Sequence, residues 1–149
     1  MEDRIVKSIE LKAPIARVWR ALTDHEEFGE WFQVAIDGPF VAGEISTGQM
    51  TYPGFEHFPW YATILEMEQE KRFVLTWCPY IDNPDADFSK EPTTRVEFTL
   101  EPTAEGTRLT IVESGFADLP ADHRREECLV RNTKGWDEVV ETVKAYVGS

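Results

Sequence analysis

The sequence predicts an α+β fold in which a curved antiparallel sheet wraps one long C-terminal helix. Three observations predict it. The chain opens with a strand and two short helical segments, it runs from Val34 to Gly115 through strands and turns, and it closes on its longest helical pattern, from about Arg124 to Val147. A sheet needs its apolar face covered, and only this last helix is long enough to cover it. A strongly twisted sheet satisfies both by wrapping the helix.

The elements follow in order. Arg4 to Lys12 reads as a strand, with Ile5, Ile9 and Leu11 on one face and Lys7 awkwardly among them. Ala13-Pro14 breaks it, and Pro14 suits a first helical turn. Ile15, Val18, Trp19 and Leu22 then form one helical stripe, ended by Thr23-Asp24. Phe28, Trp31 and Phe32 mark a second short helix. Gly38-Pro39 and Gly43 punctuate the next stretch. Strands are expected over Glu44 to Tyr52, Tyr61 to Met67, and Phe73 to Cys78 after a turn at Glu70-Lys71-Arg72. Thr94 to Glu101 and Thr107 to Ser114 form a hairpin whose connector carries Gly106, the glycine expected of a longer hairpin loop. Cys128, Leu129, Trp136, Val139, Val140, Val143 and Val147 make the stripe of the last helix, where Gly135 costs about 1 kcal/mol relative to Ala. Two connections stand out: the aromatic loop Tyr52 to Pro59, and the long acidic segment Pro79 to Pro92.

A length of 149 residues suits one domain, residues 1–149. The net charge of −13 argues against nucleic-acid backbones and anionic membrane surfaces, and is accounted for by solubility. Cys78 and Cys128 sit among apolar neighbours, which reads as reduced thiols. The charged start Met1-Glu2-Asp3-Arg4 lacks the apolar core of a signal peptide, and no apolar run reaches the ~20 residues of a membrane span, so a cytoplasmic protein is expected.

Several stretches carry a family resemblance. Val18-Trp19-Arg20-Ala21-Leu22-Thr23-Asp24 followed by Trp31-Phe32 resembles the opening of the START-like, or SRPBCC, superfamily. More narrowly it resembles the group related to the C-terminal domain of the heat-shock protein 90 ATPase activator. Arg72 to Trp77, Gly106 to Thr110, Glu113 to Phe116, and Gly135-Trp136 agree with it, so the likeness spans nearly the whole chain. It implies a helix-grip fold, like that of the birch-pollen allergen, with a ligand cavity. Members of the superfamily bind lipids, sterols, polyketides and hormones, or catalyse reactions, in such cavities. The position of Glu113 often carries His in related sequences, so no role of Glu113 is carried over from the family.

A sheet curved around a cylinder cannot touch it everywhere, and the gap left is expected to be mostly apolar with a few polar groups. Trp31, Trp60, Trp77 and Trp136 are candidate walls, with Phe40, Met50, Phe55 and Phe58 beside them. Parity places Phe73, Leu75 and Trp77 on one face of their strand, and Val96, Phe98 and Leu100 on one face of theirs. Glu113 shares a face with Leu109 and Ile111: either it points inward and orients a polar ligand group or acts as a base, or it sits at the rim and reaches water. Asn132 and Thr133 either bond a ligand from the helix side or face solvent. The expected binding set is therefore Trp31, Phe40, Met50, Phe55, Trp60, Trp77, Phe98, Glu113, Asn132, Thr133 and Trp136.

No catalytic residue, metal or cofactor is expected. Glu56-His57 reads as an exposed loop pair, and Asp82, Asp85 and Asp87 lack the Gly and terminal Glu of an EF-hand. P-loop, GxGxxG, GxSxG and HExxH motifs are absent. The expected function is small hydrophobic-ligand binding by a carrier or sensor, without evident catalysis. The alternatives are a protein-interaction module of the chaperone-activator, stress-response type, and an enzyme acting on a hydrophobic substrate with Glu113 as its base. The state is expected to be monomer or homodimer.

Overall fold

The strand periods read from the sequence run into a seven-stranded antiparallel sheet. A computed structural model describes residues 4–79, 85, 87–119 and 123–148, those at 118 and 123–125 by their backbone alone and not counted among the described residues in what is said of side chains below. Its strands are β1 (Arg4–Leu11), β2 (Val34–Ile36), β3 (Ile45–Met50), β4 (Pro59–Glu68), β5 (Arg72–Trp77), β6 (Thr94–Pro102) and β7 (Thr107–Ser114). Helices α1 (Ile15–Thr23) and α2 (His25–Phe32) follow β1, and α3 (His123–Val147) follows β7. Short 3-10 turns occupy Phe88–Lys90 and Phe116–Asp118.

The order across the sheet is β1-β7-β6-β5-β4-β3-β2. The chain therefore starts at one edge, crosses to the other through α1 and α2, and returns by successive hairpins until β7 lies against β1. This is the α+β helix-grip arrangement expected.

Inward rows follow the predicted parity. Thr94, Val96, Phe98 and Leu100 of β6 are buried, as are Thr107, Leu109, Ile111 and Glu113 of β7. Asp24 has a second duty besides ending α1. Its carboxylate accepts from the amides of Glu26 (3.0 Å) and Glu27 (3.2 Å), capping α2. That cap sets the angle at which α2 delivers Phe28 into an aromatic cluster with Trp31, Phe32, Phe40 and Trp60, at ring separations of 4.8–5.6 Å. Burying one such side chain is worth about 1.5–3 kcal/mol.

Three local readings change. Lys7 does lie on the inward face of its strand, but β1 is an edge strand beside α3, and its ammonium pairs with Asp137 at 2.7 Å. Strand β4 begins at Pro59, two residues earlier than expected, so Trp60 is a buried strand residue. Gly106 is needed for space: a Cβ there would lie 2.1 Å from the carbonyl oxygen of Leu11 and 3.0 Å from the backbone of Ala13. The hairpin loop thus packs directly on the end of β1. Of the long acidic segment, residues 80–84 and 86 lie outside the described residues, and with them Asp82; so do Met1 to Asp3.

Gly106→Ala is accordingly expected to cost about 1–3 kcal/mol by overpacking, read by urea unfolding. An unchanged midpoint would show that the loop yields freely.

Candidate functional site

Parity carries Glu113 to the inward end of β7, opposite Val96 of β6, and three elements close over it. Thr94 lies one inward step along β6 and pairs with Trp77 at the end of β5. From the other side α3 presents Asn132 and Trp136, one turn apart. The carboxylate is fully buried. It accepts from the indole N–H of Trp77 (2.8 Å) and of Trp136 (2.8 Å), from the Thr94 hydroxyl (2.5 Å), and from the Asn132 amide (3.0 and 3.2 Å to its two oxygens). Indole and amide nitrogens donate and cannot accept, so toward these groups the Glu113 oxygens act as acceptors. Among the described residues no cation lies within ion-pair distance of it. Of the two readings of Glu113 from the sequence, the rim is the one the structure contradicts: the side chain points inward, and its oxygens accept from protein donors.

These bonds build a wall. Trp77 and Trp136, held by the same carboxylate, stack at 5.6 Å and 18°. Trp60 stands nearly perpendicular to Trp77 (5.9 Å, 88°), and Phe32 is steeply inclined to Trp60 (5.7 Å, 73°). Together they bound a cavity of about 330 Å³ between the sheet end and α3. Phe55, itself 51% exposed, lies at its solvent side, as does Arg131 on the exposed flank of α3. Gly135 lines it as well, and a Cβ there would meet nothing within 4 Å. The missing side chain is space that belongs to the cavity.

Of the expected binding set, Met50, Phe55, Trp60, Trp77, Asn132 and Trp136 line this cavity. Trp31 is not among its walls: its indole donates to the carbonyl of Ala21 at 2.8 Å and ties α2 to α1. Phe40 packs edge-on to Phe28 and against Phe73 in the core. Phe98 sits one layer back, between Phe73 and Trp136. Thr133 donates to the carbonyl of Leu129 within its own helix (2.7 Å). Glu113 stands behind the wall and shapes it without lining it.

Phe32, Tyr61 and Phe88 were not in the expected set, yet they line the cavity with Phe58, Pro59, Cys78, Pro79, Arg131, Gly135 and Val139. Phe32 lies on the same helical stripe as Trp31, and nothing in spacing distinguishes which of two adjacent aromatics faces a gap. Tyr61 has outward parity on β4 but stacks on Phe88 (6.3 Å, 23°), which the long segment brings back over the sheet end. Gly135 carried a legible signal, being a poor helix former retained in a helix interior.

Burial pushes the Cys78 thiol up to about 11, helped by the charge of Glu91. Burial also raises Cys128 to about 11, with the charge of Glu113 adding to it. Both are free thiols, and neither is poised as a nucleophile near neutral pH. Among the described residues no group of His, Cys, Asp and Glu could hold a metal ion, and no helix is long and apolar enough to cross a membrane.

Comparison with known proteins agrees with the fold. The crystal structure of MLL2253 from Mesorhizobium loti is similar over 97% of this chain and 96% of that one, at 24% identity and a TM-score of 0.75. CV1439 from Chromobacterium violaceum is similar over 99% of each chain, at 20% identity and a TM-score of 0.73. DynU16, from the dynemicin biosynthetic locus, matches all of this chain with 48% of its own length, at 21% identity and a TM-score of 0.76. At these identities the likeness is one of fold. No curated protein sequence matches the chain. The family model for activator of Hsp90 ATPase homologue 1-like proteins matches residues 12–148, and the chain belongs to that family.

Proposed function

We propose that this protein binds a small, largely apolar molecule in the cavity between its sheet end and α3, as a carrier or sensor. The observation that carries this reading is the aromatic-walled space of about 330 Å³, kept open by a glycine in the interior of the longest helix. A Gly there costs about 1 kcal/mol against Ala, and the empty space beside it forgoes packing contacts as well. A cavity of this size suits a ligand smaller than most drugs. The family description, which names an activator of a chaperone ATPase, supports a second reading of a protein partner. Exposed Val41, Ile45 and Leu65 favour it, since they lie on β3, β4 and the turn before them, away from the cavity walls. An enzyme using Glu113 as its base has little support, because the carboxylate neither lines the cavity nor has an oxygen free of protein donors.

Gly135→Leu tests the cavity reading by filling the space. The uncharged fluorophore N-phenyl-1-naphthylamine should quench tryptophan emission in the parent protein, and its affinity should fall at least about tenfold in folded Gly135→Leu. Equal affinity would sink the cavity as the binding site. Gly135→Ala, by contrast, should raise stability by up to about 1 kcal/mol.

Cys78 gives an independent readout. With the thiol up at about 11, the thiolate fraction at lower pH rises about tenfold per pH unit. Iodoacetamide labelling of Cys78 should therefore be slow at neutral pH, accelerate through the alkaline range, and slow again when the fluorophore is bound. Labelling that is fast at neutral pH, or indifferent to the fluorophore, would contradict this geometry.

Glu113→Ala should cost about 3–5 kcal/mol, measured by urea unfolding, because it strands four donors around an empty site. A loss under about 1 kcal/mol would mean that the donors find other partners.

A further inference from the structure

Three indoles and the Asn132 amide of the cavity wall are spent on the protein itself. Trp60 donates its indole N–H to the Ser46 hydroxyl at 3.0 Å. Trp77 and Trp136 donate theirs to Glu113 at 2.8 Å, and the Asn132 amide donates to the same carboxylate. An anion entering the cavity would find none of these donors available. It would find Arg131 at the exposed side, whose guanidinium donates to the carbonyl of Pro79. What the wall offers instead is aromatic surface. Trp60 stands at 88° to Trp77 and Phe32 at 73° to Trp60, so the aromatic planes around the cavity differ in orientation. Ring faces carry partial negative charge and attract cations within about 6 Å of the ring centre.

Behind two of those rings lies the Glu113 carboxylate, fully buried and without a cationic partner among the described residues. Its donors stabilise the charge without cancelling it, and its burial limits screening by salt. Donating an N–H to a carboxylate also polarises each indole toward greater electron density. The rings and the carboxylate therefore act in the same direction, while the opposing charge of Arg131 is exposed and screened.

We infer that the cavity selects lipophilic cations: molecules with a quaternary or protonated amine on an apolar body, in preference to neutral or anionic molecules of the same shape. This rests on the cavity being the binding site, as proposed above, and adds the charge of what it takes.

Three probes of matched shape test it: (2-naphthylmethyl)trimethylammonium, its carbon isostere 2-neopentylnaphthalene, and 2-naphthylmethanesulfonate. Affinities are read by tryptophan quenching of the purified protein. The expected result is that the ammonium binds about tenfold or more tighter than the neutral isostere, and the sulfonate weakest. The ammonium-to-neutral ratio should survive about 0.5 M NaCl, since a buried charge is poorly screened, whereas attraction to the surface charge of −13 would fade. Equal affinities, a preference for the sulfonate, or a preference that disappears in salt would overturn the inference while leaving the cavity reading intact. Failure of all three to bind would overturn both. In folded Glu113→Gln the ratio should fall toward unity, and a ratio unchanged there would also overturn it. The salt comparison needs no variant, so the test stands if Glu113→Gln does not fold.

Discussion

The fully buried carboxylate of Glu113 is the constraint around which this end of the molecule is organised. An ionised carboxyl taken out of water costs several kcal/mol unless the protein supplies equivalent hydrogen bonds. Here they come from Trp77 on β5, Thr94 on β6, and Asn132 and Trp136 on α3. Satisfying one group therefore ties the last helix to two adjacent strands at a defined height along the sheet. A helix slid by one turn would move Asn132 and Trp136 out of reach and leave the charge partly bare.

The cavity follows from that anchoring. The two indoles held by Glu113 are fixed by hydrogen bonds and by stacking on each other, so they cannot collapse into the space beside them. Trp60 is likewise held by Ser46. On the helix side Gly135 contributes no atoms to fill the gap. The aromatic cluster around Phe28 closes the neighbouring region, so the empty volume is confined to where sheet and helix diverge. The same bonds that hold the wall in place also direct the indole N–H groups of Trp77 and Trp136 to the protein itself.

Much of the fold was legible because periodicity reports burial directly. Alternation along β6 and β7 put Glu113 on one strand face with Leu109 and Ile111, and the three- and four-residue spacings located α1, α2 and α3. Among the cavity-lining residues, a strand face pointed to Trp77 and a helical stripe to Trp136, whereas Trp60, Met50 and Phe55 were legible only as bulky apolar side chains and Asn132 as a polar residue on the helix. Trp31 against Phe32 shows the limit. Both are aromatic neighbours on a helix of eight residues, and the choice depends on Trp31 finding the Ala21 carbonyl across a turn. Phe88 shows another limit, since its place over Tyr61 depends on how a long connection returns.

The sequence by itself determined the architecture and put an acid on the same strand face as Leu109 and Ile111, near the end of that strand, because side-chain alternation and helical stripes are local properties of the chain. Only the tertiary structure decided that this acid would be enclosed by donors from three elements rather than exposed at the rim. It alone decided which aromatics stand on the cavity side. The physical reason is that hydrogen-bond partners and ring faces are set by how β5, β6 and α3 meet in space, and the residues concerned lie up to 59 positions apart, from Trp77 to Trp136.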